Sequence, residues 1–380
     1  MIPARRLGRL LMLLPSTRMG GTERHTARLA AHLAERTRIS VDLAAEPALH
    51  PSLAPLLHDG VALHGAALGW DAPGAVEDRM PRQAAETRRL LASLRPDAAL
   101  VPLPWPEAGD GVLPVLAQAA LPRVVLLHLA PEAPPPEAPP MLGLEGAMLA
   151  AVSRPVARRA ALAWGQPPGS VVVVPNPAPR PGAADRDLAR AMLRSAFGLV
   201  QGAKLLLFVG RLEEVKGADL LPGISDRLPV MLAVAGDGPL RAMLDMRAAS
   251  DPRGLLRMLG PVADPSSWYA AANALLLPSR LEGAPLVFLE AAAHRCPVVA
   301  TEAALEALGE DAPRLARIAA TPDARGIAEA AEAALADEEG TAARVAAAAA
   351  FAARQDWNGA TEAVLALLRA AMLKAERMAA

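Results

Sequence analysis

The chain predicts an α/β protein built from two doubly wound parallel sheets. Three observations carry this. Short apolar runs alternate with amphipathic, Ala-rich segments along most of the 380 residues. The runs are continuous, as parallel strands covered on both faces require. The rhythm occurs twice, on either side of the Pro- and Gly-punctuated stretch PNPAPRPGAADRD, residues 175–187.

In the first half, RLLMLLPS, ISVDLAA, DAALVPL, RVVLLHL, AMLAAVS and VVVVP read as strands, with TERHTARLAAHLAERT and RQAAETRRLLASL as helices between them. In the second half the strands are KLLLFVG, PVMLAVAG, LLRMLG, ALLLPS and PVVAT. Beyond residue 322 the chain is nearly all helix, ending in RQDWNGATEAVLALLRAAMLKAERMAA as one long amphipathic helix or two. The expected division is a Rossmann-like domain over 1–178, a second over 179–355 and a terminal helix over 356–380. Residues 130–140, APEAPPPEAPP, hold six prolines and read as a stiff exposed loop.

Composition narrows the function. A net charge of −1 gives no global electrostatic case for nucleic acid. A single cysteine, Cys296, excludes an intramolecular disulfide framework and a Cys-rich zinc site, and it fits a reducing cytoplasm. The run LLMLL near the N-terminus is too short for a signal peptide and reads as the first buried strand. No stretch of some 18 uninterrupted apolar residues is present, so the expectation is a cytoplasmic chain, with peripheral contact at the inner face of a membrane left open. Oligomeric state cannot be read.

Doubly wound domains bind ligands at the C-terminal ends of their strands, and two facing each other make a cleft. Chemistry-bearing residues are therefore sought there. Gly20 and Gly21 stand where the first strand turns into a helix, a place that can take an anion but, on these two residues alone, reads first as an ordinary tight turn. Gly210 and Arg211 leave the strand KLLLFVG, and Lys216 follows before a helix; a bidentate Arg and a point-charge Lys suit a diphosphate. In GDGP, residues 236–239, Asp237 reads as a helix cap and Pro239 as first-turn. Val262 follows LLRMLG, where a flat base could lie against backbone. His128 ends RVVLLHL.

The stretch PSRLEGAPLVFLEAAAHRCPVVAT, residues 278–301, is the most informative. Two carboxylates, Glu282 and Glu290, bracket an apolar run, and buried carboxylates are costly unless paired. Pro285 reads as the first helical residue. Glu282 then lies in the loop and Glu290 inside the helix, with the amides of Gly283, Ala284, Leu286 and Val287 offered to a phosphate. Carboxylates also accept from sugar hydroxyls. A buried ion pair for Glu290 and a solvated loop for Glu282 are equally open on this reading. No convincing metal site is found; Asp185-x-Asp187 more simply caps the following helix.

These motifs together resemble the retaining, nucleotide-sugar-dependent glycosyltransferases of family 4, with the two-domain GT-B fold. The resemblance rests on Gly20-Gly21-Thr22-Glu23, VVPNP (173–177), GRLEEVKG (210–217), AGDGPL (235–240), GPV (260–262) and the Glu282-x7-Glu290 element. It implies two Rossmann-like domains facing across a cleft, with the helix after Asp356-Trp357 crossing back onto the first. It also implies that Arg211 and Lys216 bind and stabilise the donor diphosphate, Glu290 the ribose, and Glu282 the donor sugar. Gly283, Ala284, Pro285 and Leu286 would hold sugar and phosphate, and Val262 the base. Gly20, Gly21 and Gly210 would border the donor, and His128 the donor sugar. No metal or other cofactor is implied, and the acceptor would be a glycan, glycolipid or small molecule.

The pattern departs in two places: EAALEALG (302–309) replaces a Gly-rich turn, and Arg295 replaces a helix-ending Gly. Two other readings therefore stand beside the transferase, a catalytically silent nucleotide-sugar binder or partner subunit, and a sugar-nucleotide epimerase.

Overall fold

The computed structural model describes residues 6–71, 76–133, 142–180, 186–198 and 202–379. Most of the Pro-rich loop after His128 and part of the 175–187 joint, including Asp185, lie outside the described residues. The chain divides into two compact units, residues 1–176 with 357–380, and residues 177–356.

In the first unit the strands are β1 (Arg9–Leu13), β2 (Ser40–Ala45), β3 (Val61–Gly65), β4 (Ala98–Leu103), β5 (Arg123–Leu127), β6 (Met148–Ala151) and β7 (Val172–Val173). Among the described residues they form a seven-stranded sheet in the order β3-β2-β1-β4-β5-β6-β7. All its pairings are parallel. The final segment is a single helix, Trp357–Ala379, which packs on β4, β5 and β6 and on the helix Gly21–Arg36. It buries Val364, Leu365, Leu368 and Ala371 there.

The second unit holds β8 (Leu205–Val209), β9 (Met231–Ala235), β10 (Leu256–Gly260), β11 (Ala274–Leu277), β12 (Val298–Ala300) and β13 (Arg317–Ile318). Their order is β10-β9-β8-β11-β12-β13, again parallel throughout. Each face has its own core. Leu207, Leu275 and Ala300 join one cluster, while Leu206, Leu276 and Val299 join the other. That is why these strands read as unbroken apolar runs.

Strand order reverses between β8 and β11. β9 and β10 lie to one side, and β12 and β13 to the other. At such a switch point the loops leaving the two central strands diverge and leave room for a ligand. The loops concerned are those carrying Arg211 and Lys216, and Glu282.

Two helix starts differ from the sequence expectation. Pro285 is not the first helical residue: it is the N-cap of Leu286–Ala293, with extended backbone at ψ 109°. Asp237 and Pro239 do not start the next helix either, which begins at Arg241. The Asp237 side chain instead accepts from Gly238 N at 2.9 Å, and its carbonyl accepts from Leu212 N at 2.9 Å. Tying down the loop after β8 thus took the place of capping.

Candidate nucleotide-sugar site

Two loops meet at the switch point of the second unit. Lys216 ends a short 3-10 turn, Glu214–Lys216, and Gly217 follows in the left-handed conformation at φ 70°. A Cβ on Gly217 would lie 2.1 Å from Pro278 O, so only glycine lets the loop after β8 pass this close to the loop after β11. The β11 loop is held in turn by Arg280. Its guanidinium grips Asp219 bidentately, at 2.7 Å to each oxygen, and also donates to Glu214 O, while Arg280 N donates to Val215 O at 2.8 Å.

The crossing brings Lys216 Nζ to 2.8 Å from Glu282 Oε1. Ser279 Oγ donates to the same oxygen at 2.8 Å. Glu282 therefore has the partner its apolar setting calls for. Arg211 lies nearer solvent and pairs with Glu213 at 3.3 Å. Gly210 N donates to Ala235 O at 3.0 Å, joining the ends of β8 and β9. Gly283 and Pro285 are buried, Ala284 and Leu286 half-buried. Val262 is half-buried two residues beyond β10, two strands from β8.

Glu290 has a different partner. Tyr269, buried on the helix Ser266–Ala271, donates its hydroxyl to Glu290 Oε2 at 2.9 Å. The tyrosine ring stacks on His294, centroids 5.7 Å apart. Sequence reasoning missed Tyr269, Ser279 and Thr301. The first had one signal, as the chain's single tyrosine. The other two lie at the two ends of the 278–301 stretch, where short hydroxyl residues look like ordinary turn formers. If Glu290 takes ribose hydroxyls, as the resemblance implies, Tyr269→Phe, which removes one donor to Glu290, should weaken nucleotide binding about tenfold by titration calorimetry with the fold unchanged.

In the first unit Gly20 is the N-cap of the helix Gly21–Arg36, and His128 follows β5. The two places are linked through His25 of that helix, whose ring meets His128 edge-on at 4.9 Å. Trp357, at the start of the terminal helix, stacks over His25 at 5.6 Å. Burial pushes His25 down to about 4, helped by Arg28, and pushes His128 well below the usual histidine range, helped by His25. Both are therefore neutral near pH 7.

The sign for stability follows directly. The unfolded histidines take up protons below about 6.5, and the folded ones resist until far lower. Their contribution is complete above about pH 6.5 and is lost as pH falls toward 4. Asp110, raised by burial to about 6 against the pull of Arg79, acts oppositely and offsets part of the loss. Denaturant melts should show stability declining below pH 6.5 by about 1 kcal/mol per pH unit net; a flat profile would contradict the buried, neutral pair.

Among the described residues no group of three or more His, Cys, Asp or Glu side chains that could hold a metal ion is found. No helix among them is long and apolar enough to cross a membrane.

Two Rossmann-like domains with these loops define the GT-B fold. A glycosyltransferase from Rickettsia africae superposes with a TM-score of 0.77 at 13% identity, over 97% of this chain and 99% of that one. Anabaena HepE in complex with UDP-glucose gives 0.73 at 19% identity, over 95% and 99%. Residues 203–337 match the family model described as "Glycosyl transferases group 1". The D-inositol 3-phosphate glycosyltransferase of Kineococcus radiotolerans is 34% identical over 160 residues, 36% of this chain and 35% of that protein. The chain thus spans about a third of the length of the curated relatives it matches.

Proposed function

We propose that the chain is a retaining glycosyltransferase that moves a sugar from a nucleoside-diphosphate sugar to a glycan, glycolipid or small-molecule acceptor, without a metal. The observation that carries this reading is the Lys216–Glu282 contact at the β8–β11 switch point, within the matched residues 203–337. It puts a cation suited to a departing diphosphate beside a carboxylate suited to sugar hydroxyls.

Arg211 and Lys216 take the donor diphosphate and stabilise the charge that grows as it leaves. Glu282 and the backbone of Gly283 to Leu286 hold the sugar, Glu290 the ribose hydroxyls, and Val262 the base. Gly210 and the Gly20-Gly21 turn border the donor, and His128 borders its sugar. With cationic side chains meeting the phosphate charge, the chemistry needs no divalent ion. HepE's complex with UDP-glucose supports a UDP-sugar among the candidate donors. The reading places the protein in the cytoplasm, with a peripheral membrane contact if the acceptor is a glycolipid.

A thermal-shift panel of UDP-, GDP-, ADP- and dTDP-sugars tests the reading. One class should raise Tm, and its sugar should then be transferred or hydrolysed with the anomeric configuration kept, undiminished by chelator. Stabilisation without any turnover would point to a silent binder, and turnover that merely interconverts sugar nucleotides to an epimerase. Strict dependence on added divalent metal would count against the metal-free site.

A further inference from the structure

Glu282 stands on a loop, and a loop carboxylate swings unless something holds it. Both of its protein partners, Lys216 Nζ and Ser279 Oγ, converge on Oε1. Among the described residues none bonds to Oε2. The carboxylate is thus held at one oxygen and open at the other.

The holding group is itself held. Ser279 is 1% exposed, and its carbonyl accepts from Thr301 Oγ1 at 2.5 Å. Thr301, also 1% exposed, accepts in turn from Ala304 N at 3.1 Å. Thr301 N donates to Leu277 O at 3.2 Å, so β11 and the chain after β12 are joined on both sides of the residue. A chain of hydrogen bonds therefore runs from Ala304, in the segment 302–309, through Thr301 and Ser279 to Glu282. Buried hydroxyls in such a chain have one satisfied arrangement each, which fixes the groups they touch.

Resting on the glycosyltransferase reading, we propose that Ser279 and Thr301 are positioning residues that aim Glu282 at the donor sugar. A bound diphosphate would compete with Glu282 for the charge of Lys216. When it turns to the phosphates, a carboxylate anchored by lysine alone would lose its orientation. Ser279 keeps Oε1 in place, and Oε2 stays presented to a sugar hydroxyl. The effect belongs to the sugar half of the ligand and not to the nucleotide half, and that separates it from a general loosening of the loop.

The test measures two affinities and a rate. The nucleotide sugar of the UDP, GDP, ADP and dTDP panel that binds wild type is titrated calorimetrically, and so is its sugar-free diphosphate. For Ser279→Ala the sugar nucleotide should bind about tenfold more weakly and kcat should fall about tenfold, the scale of one hydrogen bond to a charged group. Affinity for the sugar-free diphosphate should stay within about twofold, a small residual of the loop change. Thr301→Val should shift the same way, and Thr301→Ser, which keeps the hydroxyl, should stay within about threefold of wild type. If circular dichroism shows Ser279→Ala unfolded, Ser279→Cys carries the test with a similar volume and a weak donor. Equal losses for both ligands, or none, overturn the positioning role while leaving the transferase reading intact. A wild-type chain that binds no member of the panel overturns both.

Discussion

Replacing Lys216 with alanine should lower sugar transfer and donor hydrolysis by about 100- to 1,000-fold, the usual cost of removing one preorganised group that meets developing charge. The loss should appear mainly in kcat, because the charge on a departing diphosphate is greater in the transition state than in the bound donor. The fold should survive. Lys216 sits on a surface turn, and Glu282 keeps Ser279 as a donor. A stability loss of about 1–2 kcal/mol is expected from the carboxylate's missing partner. Lys216→Arg should recover little, since a planar fork does not reproduce a point charge in the same space. Turnover like that of wild type in the alanine variant would remove the basis for the proposed function. A variant that fails to fold would instead show that the Lys216–Glu282 pair is structural.

Gly236→Ala should be the most damaging small substitution. Gly236 follows β9 at φ 150°, and a Cβ there would lie 1.8 Å from Gly210 O. The atom it meets is backbone and cannot rotate away. Gly236 N also donates to Gly260 O at 2.8 Å, so the residue is bonded toward β10 and abuts the end of β8. Making room means moving Gly210, and Arg211 with it. We expect a loss of about 3 kcal/mol, from strain at a special backbone position plus the clash. That corresponds to a Tm lower by about 10 °C in a domain of this size. A Tm within a degree of wild type would show that the strand ends are far softer than their spacing implies.

The α/β class and its two sheets were legible because buried parallel strands need unbroken apolar runs, and most of these strands have them. β3 escaped notice because it is a half-solvated edge, VALHG, with no apolar run. It earns its place partly through His64, whose ring lies 2.7 Å from Asp42 in the middle of β2. β13 is only two residues long. Residue types at the site were legible too, since Glu282, Lys216 and Arg211 are charges at strand ends. Their pairings were not. Lys216 meets Glu282, and Tyr269 meets Glu290, only because β11 lies beside β8 and two helices pack together. No local spacing carries strand order. Pro285 shows the same limit at short range: proline suits both the N-cap and the first helical residue, and its ψ decided between them.

The second unit is an insertion in the first. It leaves after residue 176 and returns before Trp357, and Ala178 N donates to Gln355 O at 2.6 Å where the two strands of chain pass. A ribosome therefore delivers the parts in an awkward order. The inserted unit is contiguous and can close as soon as it emerges. The surrounding unit must wait, its sheet lacking the helix that covers β4, β5 and β6, until the last stretch of this chain has been made. Its apolar face is uncovered for all that time, and exposed apolar surface of that kind is prone to aggregate.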